Sequence, residues 1–338
     1  MASAPHIGPW GSIASAAGFT GSQPQKFSTE LSEEFEAGYC LLPGGYVSPD
    51  GQIHREAVLR PLTGFDEEWL AAQPPGSFAV RIVTDLLTRC LVRVGPVSPV
   101  PRSVVSDLLV GDRDYLMLKL RAITLGERVD AVIECSNPTC GQCMDVRFTL
   151  TDLDLALKPV TQRCFQMTST ALGGEKLEAE FRLPTGADQE ELASLFRKDE
   201  SVAASEMFAR CVLRVSRFRS DLRDEENAGS FEQRGPTSLD PAFRNEIISE
   251  IGRLAPQVVI ELESACPSCG NGFVTPLDFT AFTLAQMKHG LVELEEDVHK
   301  LAWHYHWPER DVLSLSRRKR KRYIELVSRE VDRAGGQA

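Results

Sequence analysis

Two short cysteine motifs, set far apart in the chain, most constrain how this sequence can fold. The first is Cys135-Ser-Asn-Pro-Thr-Cys140-Gly-Gln-Cys143 and the second is Cys266-Pro-Ser-Cys269-Gly. Each lies between two apolar segments typical of β-strands, so each is predicted to form the tip of a β-hairpin. Each tip can aim two thiolates at one metal ion. Two tips together supply the four sulfur ligands that a structural zinc ion takes.

The predicted zinc ligands are Cys135, Cys140, Cys266 and Cys269. Aligning the two Cys-Gly pairs matches Cys140 with Cys269 and Cys135 with Cys266, and leaves Cys143 outside the repeated pattern as an alternative to Cys135. Cys140 and Cys266 are 126 positions apart, so one shared site requires distant parts of the chain to meet. Four thiolates leave no open position for water, so the zinc is predicted to be structural. The alternative is that the two cysteine motifs bind no metal.

The order of several motifs indicates an internal duplication. The pattern Thr-Gly-x-Asp-x-Glu-x-Leu occurs at 63–70 and again at 185–192. The segment Arg-Cys-Leu-Val-Arg-Val at 89–94 is followed in the second copy by Arg-Cys-Val-Leu-Arg-Val at 210–215. In each copy these landmarks are followed by one of the cysteine motifs at nearly equal spacing. The chain is therefore predicted to contain two related halves.

The sequence predicts an α+β fold in which the two similar halves are joined through a zinc ribbon. Each half is expected to contain a hairpin, helices and a zinc-knuckle hairpin. The first half is assigned to residues 39–160 and the second to 161–280. Residues 1–38, rich in Gly, Ala, Ser and Pro, are expected to form a flexible N-terminal arm. Residues 281–334 are predicted to form a C-terminal helical tail.

Apolar periodicity places the main helices within this outline. Helices are predicted at about 78–94, 103–123, 240–255 and 291–305, with a final helix that Pro308 opens, and a mobile loop is predicted at 220–238. Cys90 and Cys211 fall on apolar helix faces and are predicted to be core residues.

The predicted final helix contains a run of six basic residues: Arg317, Arg318, Lys319, Arg320, Lys321 and Arg322. The run extends around the whole circumference of a helix, so its side chains cannot all avoid neighbouring surfaces. We favour contact with an acidic protein surface, either of a partner or of this chain itself. Nucleic-acid contact is the alternative. Trp307 is included among the candidate protein-contact residues. The surrounding segment Trp303-His-Tyr-His-Trp307 is predicted to pack through its aromatic rings and not to bind a metal.

Composition excludes several function classes. The net charge of −11, from 37 basic and 48 acidic residues, argues against a general nucleic-acid coat. No apolar run approaches the roughly 20 residues that span a bilayer, and the N-terminus lacks the features of a secretory signal. A cytoplasmic location is expected, where nine cysteines in clusters indicate metal and not disulfides. No catalytic constellation or phosphate-binding loop is recognisable, so neither enzyme activity nor a small-molecule substrate is expected.

Several segments, taken in order, resemble one protein family. They are the segment Leu42–Gly51, His54–Glu56, Leu59–Glu68, Cys266-Pro-Ser-Cys269-Gly, Tyr305–Trp307, Asp311–Leu315 and Arg318–Tyr323. These are similar to the baseplate hub assembly chaperone-like proteins of contractile phage tails and related contractile injection systems. The likeness covers most of residues 41–330. The arm at 1–38 and the extra Cys143 depart from the family pattern.

The resemblance implies an assembly or structural role in building a tail baseplate, without enzyme activity. The implied partners are other baseplate or tail proteins, met in the cytoplasm of a bacterial host cell, and a place in the finished particle is left open. The alternative function, suggested by the zinc ribbon and the basic run, is a zinc-ribbon regulatory protein that binds nucleic acid.

Overall fold

The computed structural model describes residues 38–153, 155, 157–170, 176–218, 239–288 and 290–335. The arm predicted at 1–38, apart from Gly38, and the loop predicted at 220–238 lie outside these residues. The described residues combine α-helices with small antiparallel sheets. Among the described helices, none has both the length and the apolar composition needed to cross a membrane.

The first part of the chain contains nine described α-helices and strands, followed by a 3-10 helix at Leu150–Asp152. In order, they are β1 (Tyr39–Val47), β2 (Ile53–Leu59), α1 (Gly64–Ala71), α2 (Ala79–Cys90), β3 (Leu91–Val94), α3 (Arg102–Asp107), α4 (Val110–Leu125), β4 (Arg128–Glu134) and β5 (Cys143–Thr149). Strands β1, β2 and β3 form one antiparallel sheet, and β4 pairs with β5 in a separate hairpin.

The next part contains a closely similar series of elements. In order, they are β6 (Cys164–Thr170), β7 (Lys176–Arg182), α5 (Gly186–Lys198), α6 (Glu200–Cys211), β8 (Val212–Phe218), α7 (Pro241–Leu254), β9 (Glu261–Ala265) and β10 (Gly272–Pro276). Strands β6, β7 and β8 form the second three-stranded sheet, and β9 pairs with β10. The remaining helices are α8 (Phe279–Lys288), α9 (Leu291–Tyr305), α10 (Glu309–Leu313) and α11 (Arg317–Gly335).

Helices α1 and α5 begin in the same way. In each, an aspartate three residues after the threonine cap accepts the backbone N–H of that threonine at 2.9 Å, Asp66 from Thr63 and Asp188 from Thr185. An arginine six residues before each aspartate binds the same carboxylate, with N–O distances of 2.5 and 2.6 Å. Both carboxylates are buried, so each helix start is held by matched hydrogen bonds and a matched ion pair.

The helix predicted over 78–94 is too long. Helix α2 ends at Cys90, and Leu91–Val94 forms β3, paired with β2. Leu91 and Val94 are buried whereas Val92 is exposed, and the pairing with β2 is irregular between Val58 and Leu59. The corresponding residues of the second series form β8. Cys90 and Cys211, each the last residue of a helix, are fully buried, as predicted for core residues.

Two other predicted helices are interrupted. The helix predicted over 103–123 breaks at Leu108 and Leu109, whose extended backbones separate α3 from α4. The helix predicted to start at Pro308 ends at Leu313 and resumes at Arg317. In both cases, backbone groups in the break bond to the start of another helix. Such a distant partner cannot be read from local periodicity.

Three apolar clusters form the cores of the described residues. One lies between the first sheet and helices α2 and α4, and one lies within the second series. The third joins the two cysteine hairpins, because Val129 and Ile133 of β4 pack with Ile260 and Leu262 and with Leu118 of α4. This cluster brings the tips of the two hairpins to the same place.

Candidate metal centre

The two cysteine motifs close their hairpins with equivalent hydrogen bonds. The Cys135 N–H donates to the Gln142 carbonyl oxygen, and the Cys266 N–H donates to the Asn271 carbonyl oxygen, each at 2.9 Å. A glycine follows the last cysteine of each loop, with φ of 56° and 72°, in the left-handed region that favours glycine. The sequence therefore bends the two loops alike, although the first is two residues longer.

Four sulfur atoms from the two loops meet. The Sγ atoms of Cys135 and Cys269 are 3.7 Å apart, and those of Cys140 and Cys266 are 3.8 Å apart. All four ligand atoms lie within 4.8 Å of one another. A tetrahedral ion with metal–sulfur bonds of about 2.3 Å would separate its sulfurs by about 3.8 Å. The four cysteines could therefore hold one metal ion, and the spacing is compatible with zinc.

The protein around the sulfurs also connects the two loops. The Asn137 side-chain amide donates to Cys269 Sγ at 3.8 Å, and the Asn271 amide donates to Ser136 Oγ at 3.3 Å. The backbone N–H of Cys269 is the main cause that lowers the pKa of Cys266 to about 7. The backbone N–H of Asn137 lowers the pKa of Cys135, but burial and the neighbouring sulfurs outweigh it and raise that pKa to about 12. A metal ion would bind the thiolate forms, so it would have to displace the proton of Cys135.

The remaining cysteines lie elsewhere. Cys143, the predicted alternative ligand, is exposed at the first position of β5 and is not among the four clustered sulfurs. Cys135 and Cys266 are buried, Cys140 is half-buried and Cys269 is exposed, so the cluster opens to solvent on one side. Cysteine spacing did not reveal the amide contacts of Asn137 and Asn271, because neither residue repeats between the two motifs.

The basic run on α11 divides into two sets. Arg317, Arg320 and Lys321 form ion pairs with carboxylates of this chain, contributed by Glu67 of α1 and by Glu293 and Asp297 of α9. The Arg320–Glu67 pair is 2.6 Å long and both side chains are almost fully buried, with 1% and 3% exposure. Arg318, Lys319 and Arg322 are exposed. Three of the six basic side chains thus contact the chain's own acidic groups.

Trp307 lies in an aromatic cluster between α9 and α11. Its ring stacks on Tyr305, with centroids 4.9 Å apart, and meets Tyr323 edge-on at 5.1 Å. The predicted aromatic packing in this segment is therefore present, and His304 and His306 are exposed beside it. Trp303, by contrast, is 73% exposed.

One comparison with known proteins decides the family. The sequence model of a family described as T4 bacteriophage base plate protein matches residues 48–288, well over half of the 338 residues. The chain belongs to this base plate family. No curated protein and no solved structure matches the chain.

The base plate family match extends from the turn between β1 and β2 to the end of α8. It contains β2 and β3 of the first three-stranded sheet, the whole second three-stranded sheet and all four clustered cysteines. Helices α9, α10 and α11, which carry the basic run and Trp307, follow the matched range. The family match thus supports a structural phage baseplate role.

Proposed function

We propose that this chain is a non-enzymatic structural component or assembly factor of the baseplate of a contractile phage tail or contractile injection system. The base plate family match over residues 48–288 carries the proposal. The match includes five of the six strands of the two three-stranded sheets and both cysteine hairpins, so it concerns the body of the protein and not one short motif. The proposed partners are other baseplate or tail proteins.

We further propose that a structural zinc ion joins the two related halves. The sulfur separations of 3.7 and 3.8 Å support this proposal, because they correspond to the edges of a tetrahedral zinc–thiolate site. The bound ion would hold β4–β5 against β9–β10 and would fill all its positions with thiolates. The body of the protein would then present a rigid surface to its partners.

Co-purification from the native host tests the baseplate role. The full chain carries an affinity tag at its C-terminus, and proteins recovered with it from lysates of tail-producing cells are identified by mass spectrometry. Baseplate or tail proteins should be enriched over a lysate from cells that make no tails. Recovery of the chain without any tail protein, in lysates that contain assembled tails, would contradict the proposal.

A nucleic-acid-binding role is the second candidate, and one observation favours it. Arg318, Lys319 and Arg322 form an exposed basic group on α11. Replacing these three residues with glutamine should abolish salt-dependent binding to DNA or RNA if this role is correct. Recovery of tail proteins by the same triple variant, at the wild-type level, would assign the partner contact to another surface.

A further inference from the structure

Two helix starts in this protein each receive a segment from a distant part of the chain. We call the receiving residues acceptors: Thr63 and Gly64 at the start of α1, and Thr185 and Gly186 at the start of α5. We call the docked segments donors: α3–α4 with the break between them, and α10–α11 with its own break. The donor α3–α4 docks on the α5 acceptor, and the donor α10–α11 docks on the α1 acceptor.

The first junction is made by backbone bonds. The Gly186 N–H donates to the Leu108 carbonyl oxygen at 3.0 Å, and Leu109 forms an antiparallel bridge with Thr185. Arg113, one turn into α4, is buried against Gly186. A Cβ added to that glycine would lie 1.7 Å from Arg113 Nη1. Glycine is therefore needed where the donor arginine crosses the acceptor helix.

The second junction repeats these contacts. The Gly64 N–H donates to the Leu315 carbonyl oxygen at 3.3 Å, and Ser316 forms an antiparallel bridge with Thr63. A Cβ added to Gly64 would lie within 3.0 Å of atoms of Leu313. The same pair of backbone contacts thus joins a second donor to a second acceptor.

The two donors also share a sequence pattern. At identical spacing, Pro101, Val105, Leu108 and Arg113 of the first donor match Pro308, Val312, Leu315 and Arg320 of the second. Each proline caps a short helix, each valine is fully buried and each arginine is almost fully buried. The C-terminal helices α10–α11 are therefore a second copy of the docking unit α3–α4.

In both junctions the donor and the acceptor lie far apart in the sequence. The first series lends its donor to the second series, and the C-terminal helices, which follow the second series, dock on the first. Nothing in these contacts requires donor and acceptor to be neighbours in sequence.

The α1 junction is also electrostatically selective. Glu67, one turn into α1, binds Arg320 at 2.6 Å with both side chains buried. A buried carboxylate left without its arginine is strongly destabilising, because its charge has been removed from water without compensation. A segment that fits this acceptor must therefore bring an arginine at this position. The chain's own donor is the segment that the structure shows to meet this requirement.

We propose that the α1 acceptor and the α10–α11 donor also join two copies of this chain, with helices α9–α11 of each copy docked on α1 of the other. Exchange replaces each contact by an identical contact in trans, so it is opposed mainly by the entropy of association. Only residues 289 and 290 separate α8 from α9, and short connections of this kind are where segments exchange between copies. This inference does not depend on the baseplate assignment.

Charge exchange between two full-length copies tests the proposal. One copy carries Glu67→Arg and the other carries Arg320→Glu. In each of these copies, positions 67 and 320 have like charges, so the donor is repelled when it docks on the acceptor of its own copy. Between the two copies, both junctions regain opposite charges. Differently tagged copies of the two variants, expressed together, should form a one-to-one dimer with twice the monomer mass. The double variant E67R/R320E in one chain is the matched control, because its junction is complementary within a copy.

Light scattering measures the mass of the complex, and affinity purification through one tag shows whether the copy with the other tag is recovered. A dimer from the co-expressed single variants supports the proposal, and two monomeric variants beside a folded double variant overturn it. A second pair, Thr63→Cys in one copy and Ser316→Cys in the other, avoids buried charge reversal. After oxidation, a disulfide-linked dimer between co-expressed copies supports exchange. Its absence, while T63C/S316C in one chain forms the internal bond, overturns the proposal.

Discussion

The metal centre provides the most direct test of how the two cysteine hairpins are joined. Cys269→Ser removes one sulfur ligand at an exposed position, so the substitution itself disturbs little packing. Its effect on stability should therefore come from the lost ion. Cys143→Ser is the matched control, because it makes the same chemical change at another exposed cysteine of the hairpins, outside the sulfur cluster.

The expected magnitude follows from the length of chain that the ion closes. Cys140 and Cys266 are 126 positions apart. On the chain-entropy relation for cross-links, closing a loop of this length disfavours the unfolded state by about 5 kcal/mol. Net stabilities of proteins are about 5–15 kcal/mol, so losing the ion should remove a large part of the total.

Urea unfolding with a parallel metal analysis measures this effect. Wild type and Cys143→Ser should hold one zinc per chain, and Cys269→Ser should hold much less. With a urea dependence of about 3 kcal/mol per molar, the Cys269→Ser midpoint should fall by about 1.5 M. A chelator should shift wild type to the same midpoint. An equal shift in Cys143→Ser, or no response of wild type to chelation, would refute the reasoning.

Three further predictions concern the junctions and a buried carboxyl. Gly186→Ala should destabilise the protein by about 1–3 kcal/mol or more in thermal unfolding, because the new Cβ would lie 1.7 Å from Arg113 Nη1. The control Gly252→Ala lies inside α7, where an added Cβ would have no neighbour closer than 3.9 Å. It should raise the free energy of unfolding by about 1 kcal/mol. Gln189→Glu puts a carboxylate at the position on α5 where α1 carries the glutamate that binds the donor arginine. It should raise the free energy of unfolding by about 1–3 kcal/mol. A lower melting temperature would contradict this. Burial raises the pKa of Asp112 to about 7, so the folded chain holds a proton that the unfolded chain has released between about pH 4 and 7. Stability should therefore decline as pH rises through that window, and Asp112→Asn should flatten the decline in urea titrations.

The cluster of four cysteines was predictable because the chemistry of its residues and their duplication agree. Two short loops with two cysteines each are typical of a zinc site, and alignment of the Cys-Gly pairs separates Cys143 from the rest. The structure brings Cys135, Cys140, Cys266 and Cys269 together. The order of hairpin, capped helix and cysteine loop also follows from the sequence, because turn residues, caps and apolar periodicity are local signals.

The strands β3 and β8 were missed because short apolar segments are ambiguous. Leu91–Val94 continues the helical pattern of α2 for one more turn, and a short, mainly apolar segment also fits a strand. Pairing with β2 decides for the strand, and that partner lies more than thirty residues earlier in the chain. Tertiary hydrogen bonding overrides the local preference here.

The breaks at Leu108–Leu109 and before Arg317 were missed for a related reason. Nothing local ends a helix at two leucines, and the breaks are stabilised by bonds to the distant Gly186 and Gly64. The matching donor pattern has only four shared positions, which sequence comparison within one chain does not separate from chance. The structure makes the match visible because it aligns the two donors by their contacts.

The cysteine cluster and the junction at α5 connect the two series of elements through different residues, and the junction at α1 connects the first series to the C-terminal helices. The cysteines lie at the tips of the hairpins β4–β5 and β9–β10, whereas the junctions lie at the starts of α1 and α5. No described residue belongs to both, so loss of a bound ion should loosen the hairpin tips while the buried Glu67–Arg320 pair persists. Conversely, exchange of α9–α11 between copies moves none of the four cysteines. A copy that exchanged these helices would therefore keep its cluster of four cysteines unchanged.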